Sequence, residues 1–290
     1  MSEGDKGRSM GPYIDVHCHI GMSITYDPIA GQNTGLCLGR MASAGIAAAI
    51  VGPTAVGSPQ ARGLLDTRDQ NAVISRACRQ FPDRFPIGLA LIEIRHGSAG
   101  VEALERELTE SGLMGVMWHP GGVSPERRLY PFLEVAAMGK GLCLLHETPV
   151  RTASFARRFP DLTFIQHAGE EAVEVCGNLE NVWFEIVQRP KGEDSGWDFL
   201  GLINRVGNER LMFGGDAPYY DYRILQAELE SANIDEESRD RIAYQNAVTL
   251  IQQFRPDWEL PTEKFTPPQI YTEVELWTAE NDRLRLVDSF

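Results

Sequence analysis

The feature that most constrains the fold of this chain is a regular alternation between short apolar runs and longer amphipathic stretches. Short apolar runs are typical of strands buried on both faces of a parallel sheet, and the stretches between them have helical spacing. The predicted strands are 14–16, 46–51, 86–91, 115–118, 142–145, 162–165, 182–185 and 211–213. Helices are predicted between and after them, ending near 45 and then at 67–80, 99–111, 131–140, 152–159, 170–176, 197–206, 221–231 and 236–254.

This order of elements predicts an α/β fold, a (β/α)8 TIM barrel, which usually takes about 250 residues. The competing architecture is a doubly wound open sheet, which usually has a glycine-rich phosphate loop after its first strand. Here the first strand ends in His17-Cys18-His19 instead, which favours the barrel.

Two segments are predicted, a barrel domain at residues 11–255 and an irregular C-terminal extension at 256–290. Pro261, Pro267 and Pro268 break the helical pattern in the second segment. The extension contains too many apolar residues for a disordered tail, so we expect it to pack on the barrel or on a neighbouring subunit. The tail favours a homodimer, although the sequence leaves the oligomeric state open.

Charge and composition exclude several kinds of partner. The net charge of −14 argues against nucleic acid, because phosphate binding requires clustered lysine and arginine. No apolar run approaches the ~20 residues of a membrane span, and the N-terminus lacks the apolar core of a signal peptide. The five cysteines have no CxxC spacing, which is typical of reduced thiols. We therefore expect a cytoplasmic protein with no membrane partner that acts on a small molecule.

Histidine is scarce in this chain, yet it recurs at the ends of the predicted strands. Five of the six histidines lie at or just after an apolar run: His17, His19, His119, His146 and His167. Asp216 follows the eighth predicted strand in the same way. The carboxyl ends of barrel strands form the face that carries the active site, so this placement predicts a metal site at one rim of a barrel.

His17 and His19 are the core of the predicted metal site. Residues two apart on a strand point to the same side, so both imidazoles project together and Cys18 faces away. Neutral imidazole suits zinc, with iron, nickel or manganese as alternatives. A catalytic site needs one or two further ligands and an open position, and the candidates are His146, His167 and Asp216.

Three stretches together resemble the amidohydrolase superfamily. They are Tyr13-Ile-Asp-Val-His-Cys-His-Ile-Gly21, Phe159-Pro-Asp-Leu-Thr-Phe-Ile-Gln-His-Ala-Gly169 and Arg210-Leu-Met-Phe-Gly-Gly-Asp-Ala-Pro218. The resemblance is to the amidohydrolase-related branch that includes aminocarboxymuconate-semialdehyde decarboxylase and its hydrolase relatives. It covers about residues 11–254.

The resemblance implies a role for each candidate. His17, His19, His146 and Asp216 match the metal ligands, and His167 matches a histidine that is catalytic in members with one metal. Relatives with two metals commonly carry a lysine on the fourth strand, where this chain has Met117, Trp118 and His119. One divalent ion is therefore expected, and His119 is expected to be structural or to contact substrate.

The first functional hypothesis is hydrolysis of an amide, a lactone or a related C–N or C–O bond. A divalent metal lowers the pKa of water that it binds and so supplies a nucleophile near neutral pH. Asp216 is expected to take the proton of this water, and His167 to polarise the substrate carbonyl. The alternative hypothesis is non-oxidative decarboxylation of a small carboxylic acid, with an arginine holding the leaving carboxylate.

Overall fold

The computed structural model describes residues 12–21, 31–54, 63–118, 126–188 and 196–263. Within these residues the strands are parallel and each of the eight is followed by a helix, which confirms the predicted (β/α)8 order. The strands are β1 (Tyr13–Ile20), β2 (Ile46–Pro53), β3 (Ile87–Gly88 and Ala90–Leu91), β4 (Gly115–Trp118), β5 (Leu142–Leu145), β6 (Thr163–His167), β7 (Val182–Ile186) and β8 (Leu211–Phe213).

The interrupted third strand joins the two halves of the sheet. Ile87–Gly88 pairs with β2, whereas Ala90–Leu91 pairs with β4. The ring closes between β1 and the segment after β8, where Cys18 bridges Ala217 and the backbone N–H of His19 donates to the carbonyl of Ala217 at 2.8 Å. Closure brings the end of β1 beside the end of β8. The ligand candidates on the first strand and after the last strand therefore become neighbours.

The helices surround the strands and begin and end at identifiable residues. They are α1 (Thr34–Ala44), α2 (Leu64–Gln80), α3 (Gly97–Glu110), α4 (Glu126–Met138), α5 (Pro149–Arg158), α6 (Glu170–Cys176), α7 (Phe199–Val206), α8 (Tyr222–Ser231), α9 (Glu236–Asp240) and α10 (Asn246–Phe254). Helix α5 begins with Pro149, whose fixed φ suits a first helical position. Helix α8 begins after Asp221, whose carboxylate accepts a hydrogen bond from the backbone N–H of Arg223.

Several predicted elements have different bounds in the structure, and the difference is clearest in two helices. Helix α4 begins at Glu126 and not at Pro131, because buried Leu129 and Phe132 continue the apolar face across the proline. This packing outweighs the one backbone hydrogen bond that proline removes. The predicted helix at 236–254 is α9 and α10 joined by a π-helical turn, Arg241–Gln245.

The core has an inner and an outer part. The outer part lies between the strands and the helices, and Cys18 belongs to it, facing away from the barrel as predicted. The inner part fills the barrel with residues such as Ile14, Val16 and Met212, and α10 contributes Leu250 and Ile251 to it. Helix α10 therefore covers one end of the barrel.

The described start of the predicted extension packs on this same end. Trp258 is buried in the inner core, and its indole N–H donates to the carbonyl of Asp83 at 3.1 Å. The remainder of the extension, 264–290, lies outside the described residues, as does its predicted contact with a neighbouring subunit. None of the helices in the described ranges has both the length and the apolar character needed to cross a membrane.

Candidate metal centre

The structure brings the predicted site residues together at the carboxyl ends of the strands. His17 and His19 lie on β1, His146 follows β5, His167 ends β6, and Asp216 follows β8. His119, by contrast, lies outside the described residues, so its role stays a prediction. Met117 on β4 belongs to the inner core, at the position where the sequence offers no lysine.

A bulge in β1 turns the two ligand candidates into the barrel. The pairing with β2 shifts between Asp15 and Cys18, so one extra residue is inserted in β1. Because of this shift, Val16 packs in the inner core below while His17 faces the inside above it. The carboxylate of Asp15 holds the bulge, since its Oδ1 accepts hydrogen bonds from the backbone N–H groups of His17, at 2.9 Å, and Gly215, at 2.6 Å.

Three ligand atoms converge where β1 meets the segment after β8. The Nε2 atoms of His17 and His19 are 3.0 Å apart, and Oδ1 of Asp216 lies 3.6 Å from the first and 3.2 Å from the second. Two nitrogen ligands that each lie about 2.1 Å from one ion are about 3.0–3.4 Å apart. The spacing of the two imidazoles therefore fits a shared cation.

The Nδ1 atoms of the same two imidazoles also support a shared cation. Nδ1 of His19 lies 3.0 Å from the carbonyl oxygen of Pro53, which can only accept, so this Nδ1 carries the hydrogen. Nδ1 of His17 lies 3.1 Å from the carboxylate of Glu185 and is a donor for the same reason. In the neutral tautomers both Nε2 atoms then present lone pairs to each other and to Asp216, an arrangement that a bound cation stabilises.

A second group of three possible ligands overlaps the first through His17. It contains His17, His146 and His167, whose ligand atoms lie within 4.8 Å of one another. The ring centroid of His146 lies 4.8 Å from that of His17 and 5.1 Å from that of His167. All five predicted site residues therefore belong to one cluster, and the described geometry allows His167 to act beside an ion or on it.

Glu185 is the site residue that the sequence analysis missed. Its side chain is 1% exposed; Oε2 lies 3.1 Å from Nδ1 of His17, and Oε1 lies 3.0 Å from Nδ1 of His167. In the sequence it is the last position of the predicted strand at 182–185. A carboxylate in such a run was itself a signal, since buried acids are rare unless they are paired.

The charges in the cluster determine one another's protonation. Burial disfavours the charged form of His17, but Glu185 and Asp216 outweigh it and raise its pKa to about 9. Burial likewise opposes ionisation of Glu185 and Asp216, yet the neighbouring histidines hold the pKa of each carboxyl below its usual range. Burial raises the pKa of Asp15 to about 7. The cluster thus contains ionised acceptors that favour a positive charge between them.

The backbone before Asp216 is fitted closely to the site. Asp216 has a φ of 46°, in the left-handed region, which aspartate tolerates better than most residues. A Cβ at Gly215 would lie 2.6 Å from Oδ2 of Asp15 and would contact the ring of Tyr222 even more closely. Glycine at this position lets the segment approach β1 near enough for the hydrogen bond to Asp15.

Comparison with protein families gives one match. The model of the family described as Amidohydrolase matches residues 14–252, which includes every strand of the barrel except the first residue of β1. The chain has no match among the curated proteins compared with it.

Solved structures of similar fold include three decarboxylases. 2,6-Dihydroxybenzoate decarboxylase from Rhizobium has a TM-score of 0.64 and 16% identity, over 84% of this chain and 99% of that one. 5-Carboxyvanillate decarboxylase from Sphingomonas paucimobilis has a TM-score of 0.61 and 15% identity, over 82% and 99%. Dihydroxybenzoic acid decarboxylase from Polaromonas sp. JS666, with bound manganese and 2-nitroresorcinol, has a TM-score of 0.64 and 16% identity, over 84% and 97%.

Proposed function

Because the chain belongs to the amidohydrolase family, we propose that it is a metal-dependent enzyme that removes carbon dioxide from a small hydroxylated aromatic acid. The observation that carries this proposal is the convergence of His17, His19 and Asp216 beside His167, in a barrel whose fold is shared with decarboxylases of such acids. The alternative from the sequence thus has better support than hydrolysis, the first hypothesis.

We assign the ion to one site held by His17, His19, His146 and Asp216. The lone-pair tautomers of the two β1 histidines and the ionised state of Asp216 fit a divalent cation. Manganese is bound in the Polaromonas structure, and imidazole with carboxylate also suits zinc. When bound, the ion supplies a positive charge that orients oxygen groups of the substrate and stabilises negative charge on them.

His167 is the proposed proton donor. Its side chain is 31% exposed, whereas those of His17 and Glu185 are buried, so it is an imidazole that a substrate can reach. With Nδ1 held by Glu185, a protonated His167 donates from Nε2 to the ring carbon that bears the carboxylate. The bond between that carbon and the carboxylate breaks, carbon dioxide leaves, and the ring keeps the proton. Asp216, ionised beside the histidines, takes the proton of the neighbouring hydroxyl group.

Hydrolysis remains the second candidate because the family description is Amidohydrolase. The two reactions differ in the bond that breaks, so one set of assays separates them. Protein loaded with manganese or zinc is incubated with 2,6-dihydroxybenzoate and 5-carboxyvanillate, and separately with a panel of aromatic amides and lactones. Chromatography follows each substrate, and a gas sensor follows carbon dioxide.

The expected result is release of carbon dioxide from at least one acid, dependent on metal and lost in His167→Asn. Turnover of an amide or lactone without carbon dioxide would establish hydrolysis and overturn the proposal. Metal analysis of the same samples gives the stoichiometry, with one ion per chain expected.

A further inference from the structure

We propose that Glu185 is a positioning residue that fixes the tautomers of His17 and His167 at the same time. One carboxylate would thereby prepare a metal ligand on β1 and a proton donor on β6. The part of this inference that concerns His167 rests on the proposed function. The part that concerns His17 rests on metal binding alone and can be tested separately.

The two carboxylate oxygens of Glu185 face different histidines. Each of its carboxylate oxygens lies close to a different Nδ1, at 3.1 Å from His17 and 3.0 Å from His167. An ionised carboxylate only accepts hydrogen bonds, so each Nδ1 that it faces carries a hydrogen. In the neutral imidazoles, both Nε2 atoms then have a free lone pair, one for a cation and one to receive a proton.

The surrounding strands leave a place for this carboxylate. Glu185 lies on β7 between Phe184, which packs in the outer core, and Ile186. Directly after β8, a Cβ at Gly214 would lie 2.8 Å from Oε2 of Glu185. Glycine at this position therefore leaves space for the carboxylate of Glu185 where it lies. Burial of a carboxylate is unfavourable unless it is paired, and the two histidines supply that pairing.

Replacement by glutamine separates the two functions because an amide has one acceptor and one donor. Its oxygen can accept from one Nδ1, but its NH2 group must face the other, which then has to hold a lone pair. That histidine takes the opposite tautomer, with its hydrogen on Nε2. In the metal-loaded protein the cation requires the Nε2 lone pair of His17, so the amide NH2 is expected to face His167.

The experiment compares Glu185→Gln and Glu185→Ala with the wild-type protein and with Glu93→Gln. Glu93 is also buried, at the same end of the barrel, and its carboxylate pairs with Arg95. The control therefore makes the same chemical change at a comparable depth. Three properties are measured: affinity for manganese and zinc, kcat and KM for decarboxylation, and ¹⁵N shifts of histidines in the zinc-loaded protein.

Glu185→Gln is expected to keep its metal but to lose about 100-fold or more in kcat, with KM little changed. Its ¹⁵N spectrum is expected to show the hydrogen of His167 on Nε2. Glu185→Ala removes both acceptors and is expected to lower metal affinity about 10- to 100-fold, the usual effect of losing the partner of a ligating histidine. Glu93→Gln is expected to match the wild-type protein in all three properties.

Wild-type kcat and an unchanged His167 tautomer in Glu185→Gln would overturn the inference, as would wild-type metal affinity in Glu185→Ala. If the alanine variant does not fold, the glutamine variant and its ¹⁵N spectrum decide. If the wild-type protein decarboxylates none of the acids, the proposed function fails, while the tautomers and the metal affinities still test Glu185.

Discussion

The two ends of the barrel are built from the same eight strands but differ completely in chemistry. At the amino end of the strands, Ile14, Leu142 and Met212 fill the interior, and Trp258 and α10 cover it. At the carboxyl end, the interior holds imidazoles and carboxylates that contact one another within about 3 to 4 Å. The first end buries apolar area, which stabilises the fold, whereas the second end buries charge, which by itself costs free energy.

The residues that stabilise the fold and those of the candidate site are thus separated along the barrel axis. Polar groups at the carboxyl end are tolerated because the apolar end supplies the free energy that holds the strands in place. Substitutions at the two ends should therefore have opposite signatures. Those at the carboxyl end should change metal binding and turnover, and those at the amino end should change the free energy of unfolding.

The largest effect is expected from His17→Ala combined with His19→Ala. Removing two ligands should lower metal affinity by several orders of magnitude, since a complete four-ligand zinc site is worth about 10–16 kcal/mol. Metal analysis after dialysis measures the loss. Cys18→Ala is the matched control, because Cys18 lies between the two ligands and faces the outer core. Unchanged metal content in the double variant would refute the assignment of the site.

His167→Asn should lower kcat by about 100- to 10,000-fold while metal remains bound. Asparagine keeps a polar side chain of similar volume but cannot transfer a proton near neutral pH. Steady-state kinetics and metal analysis on the same preparation test this. Loss of the ion in this variant would show that His167 is a ligand, and the site would then be described by both overlapping groups of ligands.

At the opposite end, Trp258→Ala should lower the free energy of unfolding by about 3–5 kcal/mol, the usual cost of truncating a buried aromatic residue. The kcat of the folded variant should not change. Urea denaturation gives the stability, and the control Ile224→Ala, at an exposed position on α8, should stay within about 0.5 kcal/mol of the wild-type protein. A large loss of kcat in folded Trp258→Ala would contradict the separation of the two ends.

Asp15 contributes to both the fold and the site, so its replacement tests the boundary between the two ends. Asp15→Ala leaves the backbone N–H groups of His17 and Gly215 without their acceptor, which should cost about 1–3 kcal/mol for each buried donor. It should also weaken metal binding, because the bulge that aims His17 is released. Asp15→Asn retains an acceptor oxygen and should recover most of the stability. Equal losses in both variants would show that the charge of Asp15, and not its hydrogen bonds, holds the bulge.

Much of this architecture could be predicted from the sequence because it depends on patterns that repeat. The apolar runs predicted each barrel strand, and the paired spacing of His17 and His19 predicted that Cys18 faces away from them. The family match confirms the resemblance that the strand-end motifs predicted. The roles of the individual ligands stay predictions until metal binding is measured.

The remaining features depend on contacts between distant segments, which no local pattern specifies. The bulge in β1 requires Gly215, 200 positions away, to donate to Asp15. Glu185 comes close to both His17 and His167 only because β7 lies beside β6 and near the inner side of β1. In both cases the sequence shows an acidic residue within an apolar run, but it does not show which distant residues that acid contacts.

The exposure of the cluster also limits the direction from which a substrate can arrive. His17, His19 and Glu185 are closed off from solvent, while the side chains of His167 and Asp216 are 31% and 16% exposed. In the proposed reaction a substrate would therefore meet the site from the side of His167 and Asp216, and a proton from His167 would reach only one of its faces. If the product carbon becomes a CHD centre in deuterium oxide, we expect a single configuration, because the buried side of the cluster leaves one face open to the proton donor.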